Sequence, residues 1–218
     1  MNLAKIYWES KILKWERSRY GTGRACNPFS WTVRSRLRLA AQIVQARLPP
    51  GQSLLELGCG SGYLAARVKS HCGSYVGIDI AAVAIREARR SLPEPHLQFM
   101  QGDIRQMRLP VAELTVLLGL SDWLSPMELK ALLARLRSRC VLLSYTRASA
   151  WHPYRLYRAL ADAPRAGEGR SRTRSYGGAR TYEGHELAAW LTEGGYRSEL
   201  IKPPGPLNPG ALLWAARD

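Results

Sequence analysis

Residues 53–63 read Ser53-Leu54-Leu55-Glu56-Leu57-Gly58-Cys59-Gly60-Ser61-Gly62-Tyr63. The first five are a short apolar run, the mark of a strand covered on both faces. Three alternating glycines follow, and then a helical pattern that runs to about Ser70. The glycines permit a tight turn and leave bare backbone for a ligand. The helix start beyond them offers unpaired N–H groups. A dinucleotide fingerprint, G-x-G-x-x-G/A, needs a small residue at its sixth place. Here that place holds Tyr63, and the third glycine comes one position early, at Gly62. The loop therefore favours a nucleoside ligand over a pyrophosphate one.

Outward from this loop, short apolar runs alternate with amphipathic helices. Strands are expected at 75–79, 97–100, 114–118 and 140–144, with helices over 81–92 and from about Pro126. That alternation predicts βαβ units and a parallel sheet. Two more strands, near 197–201 and 211–216, flank the turn-rich PPGPLNPG and are expected to form an antiparallel hairpin closing the sheet. A helix is expected at about 182–194. Toward the N-terminus, helices are expected over 3–17 and 31–48, separated by the loop GTGRACNPFS and stopped by Pro49-Pro50-Gly51. The fold class is thus α/β: a doubly wound, mostly parallel seven-stranded sheet. Residues 1–50 are expected to form a helical cap or lid and 51–218 the core. Residues 147–180, rich in Arg, Tyr, Gly and Ser, would be an insertion or lid after strand five.

Two carboxylates stand where such a loop can use them. Asp79 ends the second strand, 21 residues after Gly58, where a carboxylate can accept both hydroxyls of a ribose. It also suits the N-cap of the following helix. Asp103 follows the third strand in Gln101-Gly102-Asp103-Ile104 and can accept from an exocyclic adenine amine or cap a turn. ELGCGSG, then GIDI, then QGDI, each at a strand end, resembles the class I, Rossmann-like S-adenosylmethionine-dependent methyltransferases over residues 50–146. The resemblance implies S-adenosyl-L-methionine as cofactor, with S-adenosyl-L-homocysteine as product. It implies Glu56 toward the methionine amino group and Gly58, Cys59, Gly60 and Gly62 in the loop against the ligand. It further implies Asp79 on the ribose with Ile80 on the adenine, Asp103 on the adenine amine with Ile104 beside it, and Gly119 facing cofactor and acceptor. In outline, the helical cap and the Arg-rich segment resemble magnesium-protoporphyrin O-methyltransferases and ubiquinone-pathway enzymes, with no diagnostic motif for either.

Methyl transfer depends chiefly on alignment in a dry pocket, and a base is needed only where the nucleophile must lose a proton. The acceptor-side candidates are His152 as a base, Asp122 as a group that positions an amine, and Tyr145 at the exit of strand five. Two have a plain alternative: His152 a surface or packing histidine, Asp122 a turn cap. His185 falls within the expected helix and reads as solvated. Tyr7 and Trp8 would cover the pocket if the first helix is a lid, and would otherwise be core.

The chain has 218 residues and a formal net charge of +15, which admits an anionic partner. Of its 32 basic residues most are Arg, so compositional bias is the competing explanation. Residues 1–50 hold ten basic residues against two acidic ones. Four scattered cysteines, without CxxC or zinc-finger spacing, imply free thiols, a reducing compartment and no metal. No signal peptide and no apolar run long enough to cross a membrane is visible, so a cytoplasmic protein is expected. The expected activity is methylation of O or N on a small-molecule biosynthetic intermediate, with an anionic acceptor admitted. The alternatives are a methyltransferase of RNA or protein, with nucleic acid the less favoured, and a non-catalytic binding protein on the same fold. The oligomeric state is open.

Overall fold

The computed structural model describes residues 3–21, 30–148, 180–201, 208 and 210–218. Two helices lead, α1 (Leu3–Tyr20) and α2 (Ser30–Arg47). Then come β1 (Ser53–Leu57), α3 (Ala65–Val68), β2 (Ser74–Asp79), α4 (Ala82–Ser91), β3 (Leu97–Gln101), β4 (Leu114–Leu117), α5 (Pro126–Ala134), β5 (Cys140–Thr146), α6 (Gly184–Glu193), β6 (Arg197–Ile201) and β7 (Gly210–Ala216). The sheet has seven strands in the order β3-β2-β1-β4-β5-β7-β6. The first five run parallel, and β7 pairs antiparallel with both β5 and β6. The expected hairpin is present, with its second strand wedged between β5 and the edge strand.

Alternation of side chains along each strand sends two sets of apolar groups to opposite faces. Leu54, Leu114, Leu142 and Leu212 meet α2, α3 and α4 on one face. Leu55, Leu143, Leu213 and Ala215 meet α5 and α6 on the other. Burying one such leucine contributes about 1.5–3 kcal/mol. α2 takes part fully in this packing: Leu37, Ala40 and Val44 are buried in the first cluster. α1 sits further out, placing Ile12 against Ala81 and Ala84 beside α4. α5 begins at a capping box, in which Ser125 and Glu128 bond reciprocally.

β1 and β4 are neighbours while the chain between them winds out to β3. Strand order therefore reverses beside β1, and a crevice opens at the strand C-termini there. That crevice contains the loop quoted above. α3 is shorter than the expected helix, with the loop taking residues 58–64. Among the described residues, no helix is long and apolar enough to cross a membrane.

Candidate functional site

A cavity of about 1000 Å³, counted to its open mouth, lies over the C-terminal ends of β1 to β4. Its wall includes Glu56, Gly58, Cys59, Gly60, Asp79, Ile80, Asp103, Ile104 and Gly119. The sequence reading named each of these. Helical residues close the other side, among them Trp8, Ile12, Trp15 and Glu16 of α1. Trp8 packs edge-on against Trp123, with centroids 4.7 Å apart, so α1 is tied across the cavity to the segment after β4.

The Asp79 carboxylate is positioned by backbone. Its Oδ2 accepts from Gly60 N at 2.9 Å and its Oδ1 from Ala81 N at 2.9 Å. Burial raises its pKa, while these bonds pull the other way. It does not cap α4. That task falls to Glu9 of α1, whose carboxylate accepts from Ala82 N at 2.7 Å and Val83 N at 3.1 Å. Asp103 is clamped by Arg105: Oδ1 accepts from the Arg105 backbone and Nε, and Oδ2 from a terminal nitrogen at 2.7 Å. Arg105 also donates to Glu128 at 2.8 Å, which fixes the clamp to α5.

Two more carboxylates face the same loop. Glu56, buried, accepts from the Tyr75 hydroxyl, and desolvation pushes its pKa up to about 8. Glu16, 4% exposed, accepts from Ser61 N at 3.0 Å and Ser61 Oγ at 2.6 Å. Desolvation pushes its pKa up to about 7 against the pull of those bonds. Among the described residues, Glu16, Glu56 and Asp79 have no cation as a hydrogen-bond partner. Burial thus penalises the charged form of all three carboxyls, and a cationic ligand would favour their ionisation.

The glycines divide the work. Gly60, with φ +53°, carries the Glu16 carboxylate flat against it, where a Cβ would collide. Gly62 lies outside the cavity wall. With φ +86°, its missing Cβ would stand 2.8 Å from Leu92 and 3.4 Å from Phe99. It allows the loop to pack on the sheet, a role that fingerprint loops give to their last glycine.

Of the acceptor-side candidates, His152 lies outside the described residues, as does most of 147–180. Tyr145 is not at the cavity wall: it is 0% exposed in the core on the α5 and α6 face, and its hydroxyl has no hydrogen-bond partner among the described residues. The Asp122 carboxylate is occupied just behind the wall, where Oδ1 accepts from Thr146 N and Oδ2 from Thr146 Oγ1, each at 2.8 Å. It fastens the turn after β4 to the end of β5. His185 is exposed on α6. Among the described residues no cluster of ligating side chains could hold a metal.

Glu9, Glu16 and Arg36 went unread in the sequence. A signal existed for the first two. They are the only acids among the first fifty residues, and seven residues on a helix is close to two turns, so they share a face.

Residues 54–141 match the family described as "Methyltransferase domain". Ribosomal protein L11 methyltransferase from Burkholderia ambifaria is 39% identical over 67 residues, which is 30% of this chain and 22% of that protein. A dTDP-3-amino-3,4,6-trideoxy-alpha-D-glucopyranose N,N-dimethyltransferase from Streptomyces venezuelae is 33% identical over 69 residues, 32% of this chain and 28% of that protein. The chain thus matches well under a third of the length of these curated relatives. Among solved structures, magnesium protoporphyrin IX methyltransferase from Synechocystis with bound SAH superposes with a TM-score of 0.75 at 17% identity, covering 99% of both chains. That likeness is one of fold.

Proposed function

We propose, on the premise that residues 54–141 are a methyltransferase domain of the class I, Rossmann-like type, that this chain is an S-adenosylmethionine-dependent methyltransferase acting on O or N of a small-molecule acceptor. One observation carries the reading. A glycine loop, three partly or wholly desolvated carboxylates and Asp103 converge on one crevice at the point where strand order reverses.

The residues present fit the cofactor. Asp79 has each oxygen committed to one backbone N–H, which leaves further lone pairs for ribose hydroxyls. Asp103, held rigid by Arg105, keeps acceptor capacity for an adenine amine. Ile80 and Ile104 supply apolar faces beside it. Glu56 and Glu16 suit the ammonium end, since burial raises the pKa of each carboxyl and a cation bound beside it would lower it again. When bound, the cofactor supplies a methyl group on a sulfonium whose positive charge is lost on transfer. The chain's own contribution is alignment and exclusion of water by Trp8, Trp123, Leu120 and Leu124. A roof of α1 side chains over the cavity favours a small acceptor over a macromolecule. His152 stays a proposed base, outside the described residues.

Calorimetric titration of the purified chain with S-adenosylhomocysteine tests the reading. One saturable site is expected, and no binding of either form of the cofactor would overturn it.

A further inference from the structure

From the far wall of the same cavity we infer that the acceptor is a flat, largely apolar molecule bearing one carboxylate, and that Arg36 of α2 is the residue that grips it. The inference rests on the methyltransferase reading above and adds the acceptor's chemical class.

Arg36 lines the cavity together with Gly119, Leu120 and Trp123, the segment after β4. Its side chain is 12% exposed. A terminal nitrogen sits 3.1 Å from where a Cβ on Gly119 would stand, so the guanidinium lies close against the bare backbone there. Among the described residues its polar partner is Asp122 Oδ2, at 3.6 Å. That is long for a charge-assisted bond. The Asp122 carboxylate also accepts from Thr146, whose hydroxyl donates to the same Oδ2 at 2.8 Å. Asp122 therefore orients the guanidinium and balances part of its charge through one terminal nitrogen. The guanidinium carries five N–H donors in a planar fork, only one terminal nitrogen of which faces Asp122, and the natural complement of the rest is a carboxylate.

The surroundings narrow the ligand further. Trp8, Trp15, Tyr20 and Trp123 share the cavity wall with Arg36, and such rings favour a flat apolar body. Glu16, Glu56, Asp79 and Asp103 share it as well. Asp122 already balances part of the one guanidinium charge, so the site suits at most one further negative charge. A dianionic phosphate among those carboxylates would be repelled, so a monoanion fits better.

The probes are 2-naphthoate and its neutral isostere 2-naphthamide, titrated by calorimetry into the chain saturated with S-adenosylhomocysteine. The unmodified chain is expected to bind the acid about tenfold or more tightly than the amide, the scale of a hydrogen bond to a charged group. In Arg36→Gln that ratio should fall to about one, with S-adenosylhomocysteine affinity unchanged. Arg36→Lys keeps the charge and loses the fork, so the ratio should drop only in part, and circular dichroism melting checks that both variants fold. Equal affinity for acid and amide in the unmodified chain, no binding of the acid, or an unaltered ratio in Arg36→Gln would each overturn the inference. Failure of the unmodified chain to bind S-adenosylhomocysteine would instead overturn the reading beneath it.

Discussion

Glu16→Gln should make the protein more stable at alkaline pH and leave it unchanged in mild acid. The Glu16 carboxylate is 4% exposed and accepts from Ser61 N and Ser61 Oγ. Desolvation, only partly offset by those bonds, lifts its pKa from 4.5 to about 7. A carboxyl whose folded pKa is raised prefers to be protonated in the folded state. Its ionisation therefore costs stability, starting as pH rises past the unfolded value and complete above the folded one. The rise from 4.5 to about 7 corresponds to about 3 kcal/mol at full ionisation. Glutamine mimics the protonated form: its oxygen can accept from Ser61 N, and its amide can donate to Ser61 Oγ. Urea unfolding followed by tryptophan fluorescence should give matching midpoints for variant and parent near pH 4, below the unfolded value of 4.5. At pH 8.5 the variant should gain up to about 3 kcal/mol, or about 1 M in midpoint. Glu56 and Asp79 titrate in both proteins, and the difference reads Glu16 together with its coulombic coupling to them. A gap that does not change with pH, or a parent more stable than the variant at pH 8.5, would refute the claim that this carboxylate is buried at a cost.

Binding of the cationic cofactor beside Glu16 and Glu56 should lower both pKa values from about 7 and about 8 and release protons at pH 7. Calorimetry in buffers of different ionisation enthalpy would measure that release, which should shrink in Glu16→Gln. Asp79→Ala should weaken S-adenosylhomocysteine binding by roughly 1–3 kcal/mol, the scale of lost charged hydrogen bonds; unaltered affinity would remove Asp79 from the site. Glu9→Ala strips the acceptor from Ala82 N and Val83 N and should cost about 1 kcal/mol in urea unfolding. Tyr145→Phe deletes a buried hydroxyl that has no partner among the described residues. It should leave methyl transfer intact and stability equal or up to about 1 kcal/mol higher, and a loss of turnover at full stability would restore Tyr145 as a reacting group.

Sequence alone determined the elements and the near wall of the site, because both are encoded locally. Five apolar runs with helices between them specify a parallel sheet whose strand ends share one edge, so Gly60, Asp79 and Asp103 had to meet there once the sheet formed. The far wall was decided by tertiary structure. Nothing near Glu16 in the chain reveals that it will meet Ser61, 45 residues on. Arg36 looked like one of many arginines until α2 packed beside the turn after β4. Tyr145 was misplaced for a related reason. Its position at the exit of β5 was legible, but the face it takes follows from the strand's twofold alternation, read against neighbours that only packing supplies. Gly62 was read as a ligand glycine, and the structure sets it off the cavity wall with Leu92 and Phe99 close by. Short-range pattern settles what each segment is. Which side chains share a desolvated space depends on contacts between segments far apart in the chain, and those contacts exist only in the folded molecule.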